Sequence, residues 1–220
     1  DGYFRNKFED ELPRFGEAQM GIGIISDTES QPITITSHLG RYAVVTVCRI
    51  DNKDELAKEL LDKKMHFAEL SESEINSTEL VAILISQGNT IKEGIEYAQS
   101  KIKGSCSMLI LTDHAIYAAR DKFGRTPIII GRNDKGYVCA SESSSFDNLG
   151  YDYVKDLGPG EIVRMSADGL LQVAKPQERK QICTFMWVYY GYPSACYEGI
   201  NVEESRYRCG AAMARRDKGL

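Results

Sequence analysis

Apolar positions follow two rhythms along this chain of 220 residues. Ile33 to Ser37 and Arg41 to Cys48 are rich in β-branched residues and are bounded by Gly40 and by Asp51-Asn52, which predicts two strands. The spacing then turns helical. Leu56, Leu60 and Leu61 form one stripe, and Asp51 or Asn52 is placed to N-cap it. Asn76 to Gln87 predicts a second helix, with Leu80, Ile83 and Leu84 on one face and Gly88-Asn89 as its stop. Thr90 caps a third, whose inward face is Ile91, Ile95, Ala98 and Ile102. Ahead of all this, residues 1–20 are polar and mixed, with Phe4, Phe8, Leu12 and Phe15 at helix-like spacing. A short apolar run, Gly21 to Ile25, leads into the loop-like SDTESQP.

From Ser105 the period changes to that of strands. Ser105 to Thr112 and Ala115 to Arg120 flank an Asp113-His114 turn. Pro127 to Arg132 and Gly136 to Ala140 flank Asn133-Asp134-Lys135-Gly136. A short helix follows the Ser141-Glu142-Ser143 turn. Glu161 to Met165 and Leu170 to Ala174 are joined by Asp168-Gly169, a strong hairpin signal. Thr184 to Tyr190 reads as one more strand, and a last helix runs from about Val202 to Arg216. Helices grouped between antiparallel strands predict an α+β protein with layered packing. The chain contains no internal repeat and no low-complexity linker.

A chain of this length can bury one sizeable core or two small ones. Its 42% hydrophobic and 27% charged residues are ordinary for a globular domain. A net charge of −5 argues against a nucleic-acid or anionic-membrane surface. Arg206, Arg208, Arg215, Arg216 and Lys218 crowd near the end and read as a solvated helix face. No apolar run reaches the roughly 20 residues of a membrane span. The six cysteines, Cys48, Cys106, Cys139, Cys183, Cys196 and Cys209, form no CxxC pair. They predict reduced, mostly buried thiols in a cytoplasmic protein, with neither a disulfide framework nor a metal site. The chain opens at Asp1 and closes on ARRDKGL, and both ends read as cut from something longer.

Two blocks carry a resemblance. The first is ARDKFGRTPIIIG followed by ASESSSFDNLGYDYVKDLGPGEIV, between Ala119 and Val163; the second is CTFMWVYYGYPSACYEGINVEESRYRCG, from Cys183 to Gly210. Both resemble the glutamine amidotransferase domain of the amidophosphoribosyltransferase family, which opens de novo purine synthesis. The resemblance covers about residues 20–216. It implies the four-layer αββα sandwich of N-terminal-nucleophile (Ntn) hydrolases over residues 1–200. Residues 201–220 would then form a helix leading toward a phosphoribosyltransferase domain that these residues do not include. The implied partners are that domain or other copies of the chain, with no cofactor in the chain itself; a small-molecule ligand stays open.

The same resemblance implies where glutamine chemistry would sit. The nucleophile would be a first-residue cysteine with its own α-amino group as base, but the first cysteine here is Cys48. The family's Gly-Ile-Gly-His-Val-Arg-Tyr-Ser-Thr, which supplies an Arg for the substrate carboxylate, corresponds to GIGIISDTESQPI, where Ser26 stands in the Arg place. The oxyanion motif Ala-His-Asn-Gly-Asn corresponds to GRYAVVTVCRIDNKDEL, with Thr46, Val47 and Cys48 in the His, Asn and Gly places. Valine has no side-chain donor, and losing one oxyanion donor typically costs about 10²–10³ in rate. At Asn76-Ser77-Thr78-Glu79, Ser77 replaces the Asp that pairs the substrate ammonium. Ser26, Val47, Cys48 and Ser77 are therefore altered pocket positions, and no catalytic residue is assigned. Cys48 beside Arg49 fits an activated thiolate, but a small apolar strand residue is the favoured reading.

The matching blocks read mostly as scaffold. Asp121 and Arg125 flank a tight turn at Gly124, Thr126 is inserted into the family's Arg-Pro pair, and Arg120 and Glu142 complete the polar frame. Cys183 stands where some family members ligate an iron–sulfur cluster, but one cysteine does not make a cluster; a buried strand cysteine is expected. The favoured function is a family scaffold with a degenerate, non-glutaminase site and a structural or regulatory role. An active glutamine-hydrolysing domain with its nucleophile upstream of residue 1 is the alternative. A ligand-free interaction module is a third reading: it predicts a filled site beneath Ser26, Val47 and Ser77, whereas an open polar cleft predicts a ligand.

Overall fold

The computed structural model describes residues 6, 8–16, 18–71 and 74–217. Phe4 and Lys218 lie outside the described residues. Strands β1 (Ile33–Ser37) and β2 (Gly40–Ile50) form a hairpin that turns where Gly40 adopts φ +92°. Three helices follow: α1 (Lys53–Asp62), α2 (Ser77–Ile85) and α3 (Ile91–Lys101), with a two-residue hairpin, β3 (Leu70–Ser71) and β4 (Glu74–Ile75), ahead of α2. β5 (Gly104–Leu111) returns beside β2, paired from Ile50↔Gly104 to Ala43↔Leu111. β6 (Ile116–Ala119), β10 (Ile162–Ser166) and β11 (Gly169–Ala174) complete a six-stranded antiparallel sheet in the order β1-β2-β5-β6-β10-β11. A second sheet, β8-β7-β9, is built from β7 (Ile129–Asn133), β8 (Gly136–Ala140) and β9 (Asp152–Asp156).

Strand alternation assigns the layers. Tyr42 and Val44 of β2, Met108 and Ile110 of β5, and Ile162 of β10 face the helices, packing on Leu56, Leu60, Leu80, Leu84, Ile95 and Ala98. Ala118, Val163 and Met165 face the other way and meet Ile128, Ile130 and Leu157 between the sheets. Ile129 points away from them, onto the outer layer with Phe146, Met186, Ala195, Tyr197 and Val202. Three consecutive isoleucines are buried because β7 is covered on both faces. The outer layer holds α4 (Ser144–Leu149), a π-helical turn (Met186–Tyr190), a short hairpin of β12 (Cys196–Tyr197) and β13 (Ile200–Asn201), and α5 (Val202–Arg216). The layers thus run helix, sheet, sheet, helix.

Helix α2 is buried from Thr78 to Ile85 on every side, beyond the single face read from its spacing. Two glycines let α3 approach it: a Cβ on Gly94 would sit 2.1 Å from the Ile85 carbonyl oxygen, and one on Gly88 would sit 2.3 Å from the Gly94 nitrogen. Thr90 caps α3 as expected, accepting from the Glu93 N–H at 3.1 Å. Asn52 occupies the N-cap position of α1, but its side chain does not cap. It donates to the Lys101 carbonyl at 3.1 Å and accepts from the Lys103 N–H at 2.8 Å, tying the end of α3 to the start of β5.

Several expectations fail. Thr184 to Tyr190 is not a strand. The Arg206 guanidinium collects the carbonyls of Trp187, Tyr189 and Gly191 at 2.8–3.0 Å, which winds the segment against α5. Arg206 is accordingly a clamp rather than part of a solvated face, while Arg208 pairs along the helix with Glu204. Cys183 is exposed and lies in a loop, not buried in a strand. Cys209 is also exposed, Cys48, Cys139 and Cys196 are half-buried, and only Cys106 is fully buried; all six thiols are free. The Gly21–Ile25 run has no regular structure, and Ile25 is fully exposed. Strand β9 was not anticipated, because its polar, exposed edge position gives no apolar alternation. Among the described residues no helix is long and apolar enough to cross a membrane, and no cluster of potential metal ligands forms.

Candidate functional site

The strand β2 sends Thr46 and Cys48 toward the helices and Val47 to the opposite face, where it is 48% exposed. Thr46 is buried and its hydroxyl shares a 2.7 Å hydrogen bond with that of Thr78, in the first turn of α2. Its backbone is held by Gln31, whose amide oxygen accepts from the Thr46 N–H at 2.7 Å and whose Nε2 donates to the Thr46 carbonyl at 3.3 Å. Gln31 thereby extends the β1 edge and brings the loop 24–31 against β2. Between loop and strand lies an open cavity of about 270 Å³, lined by Ser26, Asp27, Glu29, Gln31, Thr46, Val47 and Cys48 among others.

The N-terminus of α2 borders this region, and the chain's own groups satisfy it. The Asn76 side chain accepts from the N–H groups of Thr78 and Glu79 at 2.8 and 3.1 Å. Glu29 Oε1 accepts from the Ser77 N–H at 3.0 Å, setting a carboxylate at the positive end of the helix. Asn76 also donates to the Ser30 carbonyl at 3.0 Å, and Ser26 Oγ accepts from the Glu29 N–H at 3.1 Å, which shapes the loop.

Charge in the cavity is one-sided. Asp27 and Glu29 line it, and no Arg, Lys or His does so among the described residues. Lys53 exerts its charge on Cys48 and Glu29 but is itself held by Glu74 at 2.6 Å. A ligand ammonium or amide N–H finds acceptors here. A ligand carboxylate finds no cation lining the cavity among the described residues, and the Val47 side chain offers an oxyanion only methyl groups.

The structure brings Ser26, Val47 and Cys48 together on this cavity; Ser77 lies beside it, connected through Glu29. Cys48 sits 3.4 Å from the Thr46 hydroxyl and faces Cys106 across the β2–β5 pair. The neighbouring Cys106 side chain holds the pKa of Cys48 below that of an ordinary thiol against the opposing effect of burial, with Thr46 adding to the lowering. The same interaction, with full burial, pushes the pKa of Cys106 well up.

Arg120, Asp121 and Arg125 assemble elsewhere, around the Gly124 turn. Arg120 is fully buried and donates to the carbonyls of Leu157, Gly124 (2.7 Å) and Thr126 (3.3 Å) and to Glu198 (2.5 Å). Asp121 accepts from the N–H groups of Phe123 and Arg125 at 3.0 and 2.8 Å, and Arg125 reaches Gly104 and Gln181. Glu142 accepts from the Ser144 hydroxyl at 2.6 Å, near the start of α4. Glu29, Gln31 and Glu198 were missed, because a lone acid or amide in a loop carries no periodic signal; Gln31-Pro32 was visible only as a motif flank.

A family described as a glutamine amidotransferase domain matches residues 17–148. The amidophosphoribosyltransferase of Archaeoglobus fulgidus is 33% identical over 188 residues, covering 84% of this chain and 41% of that protein. That of Synechococcus elongatus is 30% identical over 193 residues, covering 84% and 38%. A solved glutamine phosphoribosylpyrophosphate amidotransferase from B. subtilis, complexed with ADP and GMP, superposes with a TM-score of 0.75 at 28% identity, covering 85% of this chain and 41% of the other. The chain spans about two fifths of the length of these proteins. The likeness bears out the resemblance and the Ntn-hydrolase sandwich.

Proposed function

This chain belongs to the glutamine amidotransferase domain family, and on that premise we propose that it serves an amidophosphoribosyltransferase-type protein of purine biosynthesis as an amidotransferase scaffold that no longer hydrolyses glutamine. The observation that carries this reading is the cavity beside β2. Glutamine presents a carboxylate that needs a cation, yet the cavity is lined by Asp27 and Glu29 with no basic side chain among the described residues. Val47, exposed at the place implied for an oxyanion donor, cannot donate. The cavity is open rather than filled by side chains, which favours a role that includes a small ligand over a ligand-free module.

In this reading the domain works in the cytoplasm, packs against a phosphoribosyltransferase domain or further copies of itself, and carries no cofactor. Its contribution is structural or regulatory. The test is ammonia release from glutamine by the full natural chain, with a diazoketone analogue of glutamine as covalent probe. Neither ammonia nor labelling is expected from folded protein. Ammonia release together with labelling of a cysteine upstream of residue 1 would overturn the reading in favour of an active glutaminase.

A further inference from the structure

Cys48 and Cys106 are directly opposed on adjacent antiparallel strands. Opposed residues in such a pair have Cα atoms about 4.5–5.5 Å apart and side chains on the same face. A disulfide spans Cα separations of about 4.4–6.8 Å, so this register already provides the backbone geometry. The two side chains also influence each other, and Cys106 lowers the pKa of Cys48. The two positions differ in access. Cys48 lines the open cavity, whereas Cys106 is 4% exposed and packs in the core between the sheet and the helices. No other cysteine is so placed: Cys139 opposes Ile130, Cys196 opposes Asn201, and Cys183 and Cys209 lie in a loop and on α5.

We propose that Cys48 and Cys106 form a dithiol modification site, entered through the cavity, that takes low-molecular-weight disulfides and closes into a cross-strand disulfide. The reaction follows from the asymmetry. The Cys48 thiolate attacks one sulfur of a disulfide RSSR, forming the mixed disulfide Cys48–S–SR and expelling RS⁻. That thiolate takes the proton of Cys106. The Cys106 sulfur then attacks the Cys48 sulfur, breaks the mixed disulfide and expels the second RS⁻, which takes the proton given up by Cys48. Two protein thiols are oxidised to one disulfide, and RSSR is reduced to two RSH. The interaction with Cys106 favours the thiolate at the accessible residue, and the buried residue resolves the adduct. The product ties β2 to β5 beside Thr46, on the face of β2 that carries Cys48. This inference rests on register and access and is independent of whether glutamine is hydrolysed.

The test uses the full chain with Cys183→Ser and Cys209→Ser to remove exposed thiols, reduced and then incubated with oxidised glutathione. Alkylation and peptide mass spectrometry read each cysteine. The expected product is two hydrogens lighter than the reduced chain, with Cys48 and Cys106 protected together and both released by dithiothreitol. In a Cys106→Ser variant, Cys48 keeps a stable glutathione adduct; a Cys106→Val variant, which preserves an apolar core residue, gives the same result if serine unsettles the fold. Free alkylation of Cys48 after the incubation, or a persistent glutathione adduct on Cys48 with Cys106 intact, overturns the proposal. Both failures are read on the protein without any core substitution.

Discussion

Replacing Arg120 by methionine tests the joint that connects the central sheet, the Gly124 turn and the β12–β13 hairpin. Arg120 is fully buried, and methionine keeps much of its apolar stem while removing every donor. The change strands the Glu198 carboxylate, 16% exposed, and leaves the carbonyls of Gly124 and Leu157 without this partner. Breaking a buried ion pair from one side costs about 3–5 kcal/mol. Glu198 keeps Lys180 at 3.3 Å, which places the expected loss near the lower end, about 3 kcal/mol. Set against a total stability of about 5–15 kcal/mol, the variant folds but with little margin. With a urea slope of about 2.5 kcal/mol per M, the midpoint falls by about 1 M. Trp187, stacked edge-on to Tyr197 at 6.1 Å and bonded to the Ile200 carbonyl, reports unfolding of that hairpin by fluorescence. Circular dichroism reports the sheet. A Glu198→Gln control keeps an acceptor and is expected to cost about 1–2 kcal/mol. A midpoint for Arg120→Met within about 0.3 M of wild type, at equal slope, would refute the view of Arg120 as a structural tie, since a buried tie cannot be cut at so little cost.

Gly94→Ala forces a methyl group against the Ile85 carbonyl, so α3 must move off α2; a loss of at least about 2 kcal/mol is expected by thermal or urea unfolding. Thr46→Val strands the Thr78 hydroxyl and is expected to cost about 1–3 kcal/mol, with glutamine turnover unchanged at background. Val47→Asn by itself should leave ammonia release at background, because oxyanion, carboxylate and ammonium contacts act as a unit; turnover in this single variant would show the rest of the site to be intact. Glu161 supplies a pH dependence. Burial acts to raise its pKa, but Lys155 at 2.5 Å, the Gly158 N–H at 2.7 Å and Gln172 outweigh burial and hold the carboxyl below its ordinary range. A lowered folded-state value means that its stabilisation is present above the ordinary carboxylate range and is lost as pH falls through the folded value. Unfolding midpoints measured downward from pH 6 should therefore decline less steeply in Glu161→Gln than in wild type.

Much of the architecture is legible in local pattern. Ile33–Ser37, Asp168-Gly169 and the Thr90 cap each declare themselves within a few residues, because strand period, turn chemistry and capping are local properties. The family blocks made the sandwich readable. Ser26, Val47 and Cys48 were singled out by motif, and the fold does gather them on one cavity.

What sequence alone determined, then, is where most of the longer helices and strands lie and which family the chain resembles. Tertiary structure alone decided the rest. Thr184 to Tyr190 has strand-like composition, yet Arg206, distant in sequence, takes its carbonyls and winds it into a turn. Glu29 has no signal in its loop until Ser77, 48 residues away, presents its N–H. Cys48 and Cys106 are unrelated in the sequence and become partners only through the β2–β5 register. In each case the deciding contact joins groups far apart along the chain, and its energy exists only after the layers have closed.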